Sequence, residues 1–236
     1  MAKKKERGRK TRFGPGRNAR LQAKEARGGG KTTLGQVYSG RLNRDLYPPS
    51  ALEFLHICAL EGDENIDKYL PWPKEEYVMS NGEILTTKFD AHVTLRSGRP
   101  QMREVSESDE ELDPRKLAQH EAQLLILAGR DLDYVRITRA ILLDQMTLIR
   151  NWWDALPRLK AARGLVLEPY RKEIMRRAEH EGRINFEALL QDTDPARGAI
   201  YQAAIFQCIQ AGLLRSNLDS EPLCLSTLVW PREALK

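Results

Sequence analysis

The segment that most restricts the fold is residues 89–106, FDAHVTLRSGRPQMREVS. Phe89, Ala91, Val93 and Leu95 alternate with Asp90 and His92, and Lys88 precedes them on the Asp90 side. The run therefore reads as a strand with one apolar face. Gly98 closes the short loop RSG. Three-residue hairpin loops put a left-handed residue last, where glycine has no Cβ to clash. A loop of that length pairs Leu95 with Arg99 and Asp90 with Glu104. Directly opposed residues share a face, with Cβ atoms about 5 Å apart. Ser106, two residues on, joins the same face. A two-residue loop would instead pair Asp90 with Val105 and separate the acids.

Two neighbouring carboxylates repel, and such pairs hold a cation or share a proton. The alternative is a pair of solvated acids at a sheet edge. Spacing alone leaves both open.

The flanking segments predict a mixed sheet covered by helices, an α/β class. Ser50, after Pro48-Pro49, is an N-cap for SALEFLHICALEG (50–62), and Glu53 three residues later fits a capping box. NIDKYLPWP is an apolar stretch broken by Pro71 and Pro73. Asn81-Gly82 between β-prone runs predicts a second hairpin. After the acidic run SESDEELDP, RKLAQHEAQLLILAGRDL predicts a helix with Leu117, His120, Leu124 and Leu127 on one side. DYVRITRAIL then supplies a short strand and a turn into further helix.

The remainder reads as mostly helical. TLIRNWWDALPRLKAARG (147–164) is a helical linker whose Trp152-Trp153 pack between domains or stack on bases. EPYRKEIMRRAEHEG, INFEALLQDT and DPARGAIYQAAIFQCIQAGLL are three helices. The third places Tyr201, Ala204, Ile205, Cys208, Ile209 and Leu213 on an apolar face, with Gln202, Gln207 and Gln210 outside. SNLDSEPLCLSTLVW adds a turn and strands. Three helices and a hairpin predict a winged-helix-like domain. Its polar third helix carries little positive charge, which favours docking to protein over reading DNA.

Charge divides the 236-residue chain. Residues 1–31 carry six lysines, six arginines and two glutamates, a net +10, while the other 205 residues carry a net −5. The expected division is a basic arm (1–36), a first folded domain (37–146) and a second (147–236). The arm lacks hydrophobic periodicity and suits DNA phosphates, through Lys3, Lys4, Lys5, Arg7, Arg9, Lys10, Arg12, Arg17 and Arg20. The bland alternative is a solubilising tail. GGGKTT (28–33) is not a phosphate loop, because GxxxxGK[ST] would need glycine where Glu25 stands. Cys58, Cys208 and Cys224 are three, far apart, which argues against a disulfide framework or zinc ribbon. Without a membrane-length apolar run, or an apolar core behind MAKKKERGRK, the expected location is cytoplasmic.

The order of helical glutamate, Pro71–Pro73 turn, hairpin closing on FDAHV, REVS, helix and YVRIT strand resembles the restriction-endonuclease-like PD-(D/E)xK fold. More narrowly, from about residue 36 to the C-terminus, it resembles the TnsA-like endonuclease subunits of heteromeric transposases. The resemblance implies an active site of Glu53, Asp90 and Glu104 with Mg²⁺ or Mn²⁺. It also implies phosphodiester hydrolysis at the 5′ ends of the element, a DDE-type partner transposase and a regulatory AAA+ ATPase. The family's lysine position falls on Ser106. Either a basic residue such as Lys88 or Lys116 replaces that lysine, or Ser106 positions water while the metal activates it, or the subunit binds DNA without cutting. A stand-alone restriction or repair nuclease is the further alternative.

Overall fold

In a computed structural model, which describes residues 35–80, 82–108, 114–191 and 193–232, the chain is a mixed α/β protein. The basic arm, including GGGKTT, lies outside the described residues. A hairpin of β1 (Val37–Ser39) and β2 (Arg44–Leu46) leads to helix α1 (Ala51–Gly62). Ser50 caps α1 as expected, its Oγ accepting the Glu53 amide at 3.1 Å. The central sheet holds β3 (Ile66–Pro71), β6 (Ala91–Leu95), β7 (Pro100–Ser106) and β8 (Asp133–Thr138), in that order. Its first two pairings are antiparallel, and β8 runs parallel to β7. Between β3 and β6, β4 (Glu76–Ser80) and β5 (Glu83–Thr87) form the expected Asn-Gly hairpin, with Ser80 opposite Glu83.

The loop length that decides the site is the three-residue one. Gly98 sits at φ 86° and donates its amide to the Leu95 carbonyl at 2.9 Å, and Leu95 donates to the Arg99 carbonyl at 2.9 Å. Ala91 then opposes Arg103, where the paired register ends; the Asp90 amide also donates to the Arg103 carbonyl at 3.0 Å, so two residues meet one and the expected direct pairing of Asp90 with Glu104 gives way to an irregularity.

The two sheet faces have different covers. Ala91, Val93 and Ile137 join the large core, which also contains Ile57, Cys58 and Leu60 of α1. On the opposite face, α2 (Pro114–Leu127) brings Ile126 and Leu127 against Met102 and Phe89, so Phe89 does not share the Ala91–Val93 face expected of it, because the strand alternation breaks before Ala91. Helix α2 is rotated from the expected stripe: Leu117 and Leu124 are exposed, while Ala122, Gln123, Ile126 and Leu127 are buried.

From β8 the chain enters α3 (Arg139–Asp144), capped by Thr138, then α4 (Met146–Ala161). Helix α4 is built into the core rather than spanning it as a spacer. Trp152 is fully buried, edge-on to Phe206, and so near Gly62 that a Cβ there would fall inside the indole. Trp153 is half-exposed and meets Phe54 edge-on. The rest runs α5 (Glu168–Glu181), β9 (Ile184–Asn185), α6 (Phe186–Leu190), α7 (Pro195–Gln210), β10 (Leu214–Ser216) and β11 (Leu228–Pro231). Its small sheet has the order β10-β11-β9. One apolar cluster takes residues from both sides of residue 147, from Val37 to Val229. Among the described residues no helix is long and apolar enough to cross a membrane.

A buried polar knot joins the two halves. The fully buried Glu61 accepts bonds from Ser39 Oγ, the Gly40 amide (2.9 Å), Tyr69 Oη (2.6 Å) and Gln210 Nε2 (2.5 Å). Gln210 is thus buried, not on the outer face of α7 as its spacing suggested. A buried carboxylate without donors is expensive, and the knot meets that demand. Arg41 and Arg96 both donate to the Gln210 carbonyl at the end of α7.

Candidate functional site

Three carboxylates gather where β6 begins, β7 passes and α1 starts. Asp90 Oδ2 accepts the Val105 amide at 2.7 Å. That bond orients Asp90 along β7, at Glu104. Glu104 is held from α2: Gln119 Nε2 donates to Oε1 at 3.0 Å and Gln123 Nε2 to Oε2 at 2.8 Å. Residues four apart share a helix face, so the two amides grip both carboxylate oxygens. Gln123 Oε1 in turn accepts from Tyr134 Oη at 2.8 Å, and His120 Nδ1 lies 3.3 Å from that hydroxyl.

Glu53 approaches from the start of α1. Its Oε1 accepts from Ser50 Oγ at 3.0 Å and its Oε2 from Trp72 Nε1 at 2.6 Å. The carboxylate thus takes the cap hydroxyl and an indole. Trp72, between the two prolines at φ 49°, also donates its amide to the Asp90 carbonyl at 2.9 Å. One residue therefore fastens Glu53 beside Asp90. A bulky residue in the left-handed region costs on the order of 1 kcal/mol or more, and such strain collects at functional sites.

The electrostatics show a shared neighbourhood. Burial pushes Glu53 up to about 7, with the Asp90 charge adding to the rise and the Trp72 and Ser50 bonds opposing it. Burial also raises Asp90, against the Val105 amide. It raises Glu104 too, reinforced by Asp90 and Glu53 and opposed by Gln123 and Arg136. Desolvation and like charge both disfavour ionised carboxylates. Such groups fit a hard divalent cation, which oxygen donors bind and which would relieve both penalties. As folded, however, no three His, Cys, Asp or Glu side chains among the described residues form a group that could hold a metal ion. The Val105 amide holds the Asp90 carboxylate next to Glu104, whose rise the Asp90 charge reinforces. Glu53 adds charge beside them, its oxygens accepting from Ser50 and Trp72.

The other sequence candidates fall as follows. Ser106 lies on the Glu104 face of β7 and donates from Oγ to the Ser108 carbonyl at 3.2 Å. Lys88 is solvent-exposed and pairs with Glu75 at 3.8 Å; only its carbonyl reaches the site, accepting from Gln123. The Lys116 side chain lies outside the described residues, as do Lys3, Lys4, Lys5, Arg7, Arg9, Lys10, Arg12, Arg17 and Arg20. Apart from these candidates, His56 of α1, one turn after Glu53, is buried and held neutral: burial, then Arg103, lowers it to about 3, and its Nε2 has no partner. Cys208 is buried, and burial raises its thiol. That is a packing role, as expected.

Three residues escaped the sequence reading. Gln119 and Gln123 carried a signal in their spacing of four on α2, masked by the leucines nearby. Arg136, opposite Glu104 in the parallel β7–β8 register, carried none, because no local turn sets that register.

Compared with known proteins, the chain matches no family model and no curated sequence.

Proposed function

We propose that the chain is a metal-dependent DNA endonuclease subunit of a multi-component transposase, with a restriction-endonuclease-like first half. The observation that carries this reading is the Asp90 carboxylate, bonded to the Val105 amide next to Glu104, with Glu53 and Glu104 both in its electrostatic field. Asp90 and Glu104 would hold Mg²⁺ or Mn²⁺, and Glu53 adds negative charge beside them. A bound cation supplies Lewis acidity to the scissile phosphate and lowers the pKa of a bound water. In hydrolysis the water oxygen bonds to phosphorus, the ester P–O bond breaks, and the leaving oxygen takes a proton. Val105 and the two glutamines keep the pair in register, and the Glu53 carboxylate is placed to accept a proton near neutral pH.

The order α5-β9-α6-α7-β10-β11 supports a winged-helix-like second half. On the family resemblance, that half docks on a DDE-type transposase or an AAA+ ATPase in the cytoplasm, while the basic arm tracks DNA phosphates. Ser106 at the lysine position favours a second reading, a silent adaptor that binds DNA ends and partners without cutting.

Nicking of supercoiled plasmid in Mg²⁺ or Mn²⁺ tests the proposal. Wild type is expected to nick, and Asp90→Ala is expected not to. Equal product from both proteins removes the hydrolytic reading.

A further inference from the structure

A guanidinium reaches Ser106 from the next strand. In the parallel β7–β8 register Glu104 stands beside Arg136 and Ser106 beside Thr138. Arg136 is therefore on the face that carries Glu104 and Ser106. Its Nη2 reaches Ser106 Oγ at 3.4 Å and the Ser108 carbonyl at 3.1 Å. Its charge acts on the site, opposing the rise in Glu104 and in Tyr134. Lys88 is turned away to Glu75.

We propose that Arg136, reaching from β8 to the hydroxyl of Ser106, is the cationic group that contacts the scissile phosphate beside the Asp90–Glu104 pair. The inference rests on the hydrolytic reading above. A guanidinium presents a planar fork of donors that matches two phosphate oxygens. It therefore stabilises negative charge as the phosphorus is attacked, and it takes no proton from water. Ser106 has a matching part: a small hydroxyl leaves space for the guanidinium and accepts one of its hydrogens.

The test sets two readouts against each other on the full-length chain: plasmid nicking in Mn²⁺, and Mn²⁺ affinity by calorimetry, for wild type, Asp90→Asn, Arg136→Gln and Arg136→Lys. Removing a phosphate-stabilising donor is expected to slow nicking by roughly 10²-fold or more, mainly in kcat. Removing a positive charge beside two carboxylates is expected to leave Mn²⁺ binding equal or tighter. Arg136→Lys, which keeps the charge, is expected to recover part of the rate, and thermal melts of both variants check the fold. If Arg136→Gln loses nicking and Mn²⁺ affinity together and melts early, Arg136 only ties the 106–108 loop and the inference is overturned. If wild type nicks, Asp90→Asn does not, and Arg136→Gln nicks normally, this inference alone fails. A wild type that does not nick ends the hydrolytic reading and this inference with it.

Discussion

Asp90 accepts the amide of Val105 at 2.7 Å, the residue that sits between Glu104 and Ser106. An asparagine at 90 can still accept that bond through its side-chain oxygen, but it carries no charge to bind a cation. Because burial already disfavours the ionised Asp90, neutralising it removes a penalty. Asp90→Asn is therefore expected to abolish nicking while the melting temperature stays level or rises. A large drop in melting temperature would mean that the carboxylate is a structural linchpin.

The raised carboxylates give stability a pH slope of known sign. Glu53 moves from an ordinary 4.5 to about 7, so the folded chain binds the proton more tightly than the unfolded one. Its contribution is fully present below the unfolded value and is lost as pH rises through the folded value. The window is about pH 4.5 to 7, and the Asp90–Glu104 pair acts in the same direction. Glu53→Gln should flatten the fall in melting temperature across that window. Mg²⁺ should raise the melting temperature more at pH 8 than at pH 6, since protons and cation compete for the same oxygens. A metal effect independent of pH would contradict this.

Gln123 is almost fully buried and donates to Glu104 and to the Lys88 carbonyl. A hydrogen bond to a charged group contributes about 1.5–3 kcal/mol. Gln123→Leu keeps the volume but drops both donors, and should push Glu104 further up and weaken Mn²⁺ binding severalfold. Calorimetry at two pH values would show the loss growing as pH falls. Unchanged affinity would remove the clamp from the site.

What the sequence made legible was local. Gly98 specified a loop length, and loop length specified the β6–β7 register as far as Ala91 and Arg103. Ser50 announced α1, and the Asn-Gly turn announced β4 and β5. Strand β3 was missed because a bulge between Ile66 and Lys68 breaks its alternation. The clamp and Arg136 depend on how α2 and β8 return to the sheet, which no nearby residue determines. Gln210 looked like an exposed helix residue, and only the buried Glu61, far away in sequence, explains its place.

Gly62 and Trp152 supply the last prediction. The helix end needs no side chain at 62, because the indole of Trp152 occupies the space a Cβ would take. Trp152 is backbone to the junction of α1, α4 and α7, and packed interiors respond sharply to one extra carbon. Gly62→Ala is expected to destabilise by about 1–3 kcal/mol through overpacking. Trp152→Phe in the same chain should recover part of that loss, because the smaller ring vacates the contested space. Urea melts of the two single variants and the double variant measure the coupling, and strictly additive losses would show that the two residues do not compete for one volume.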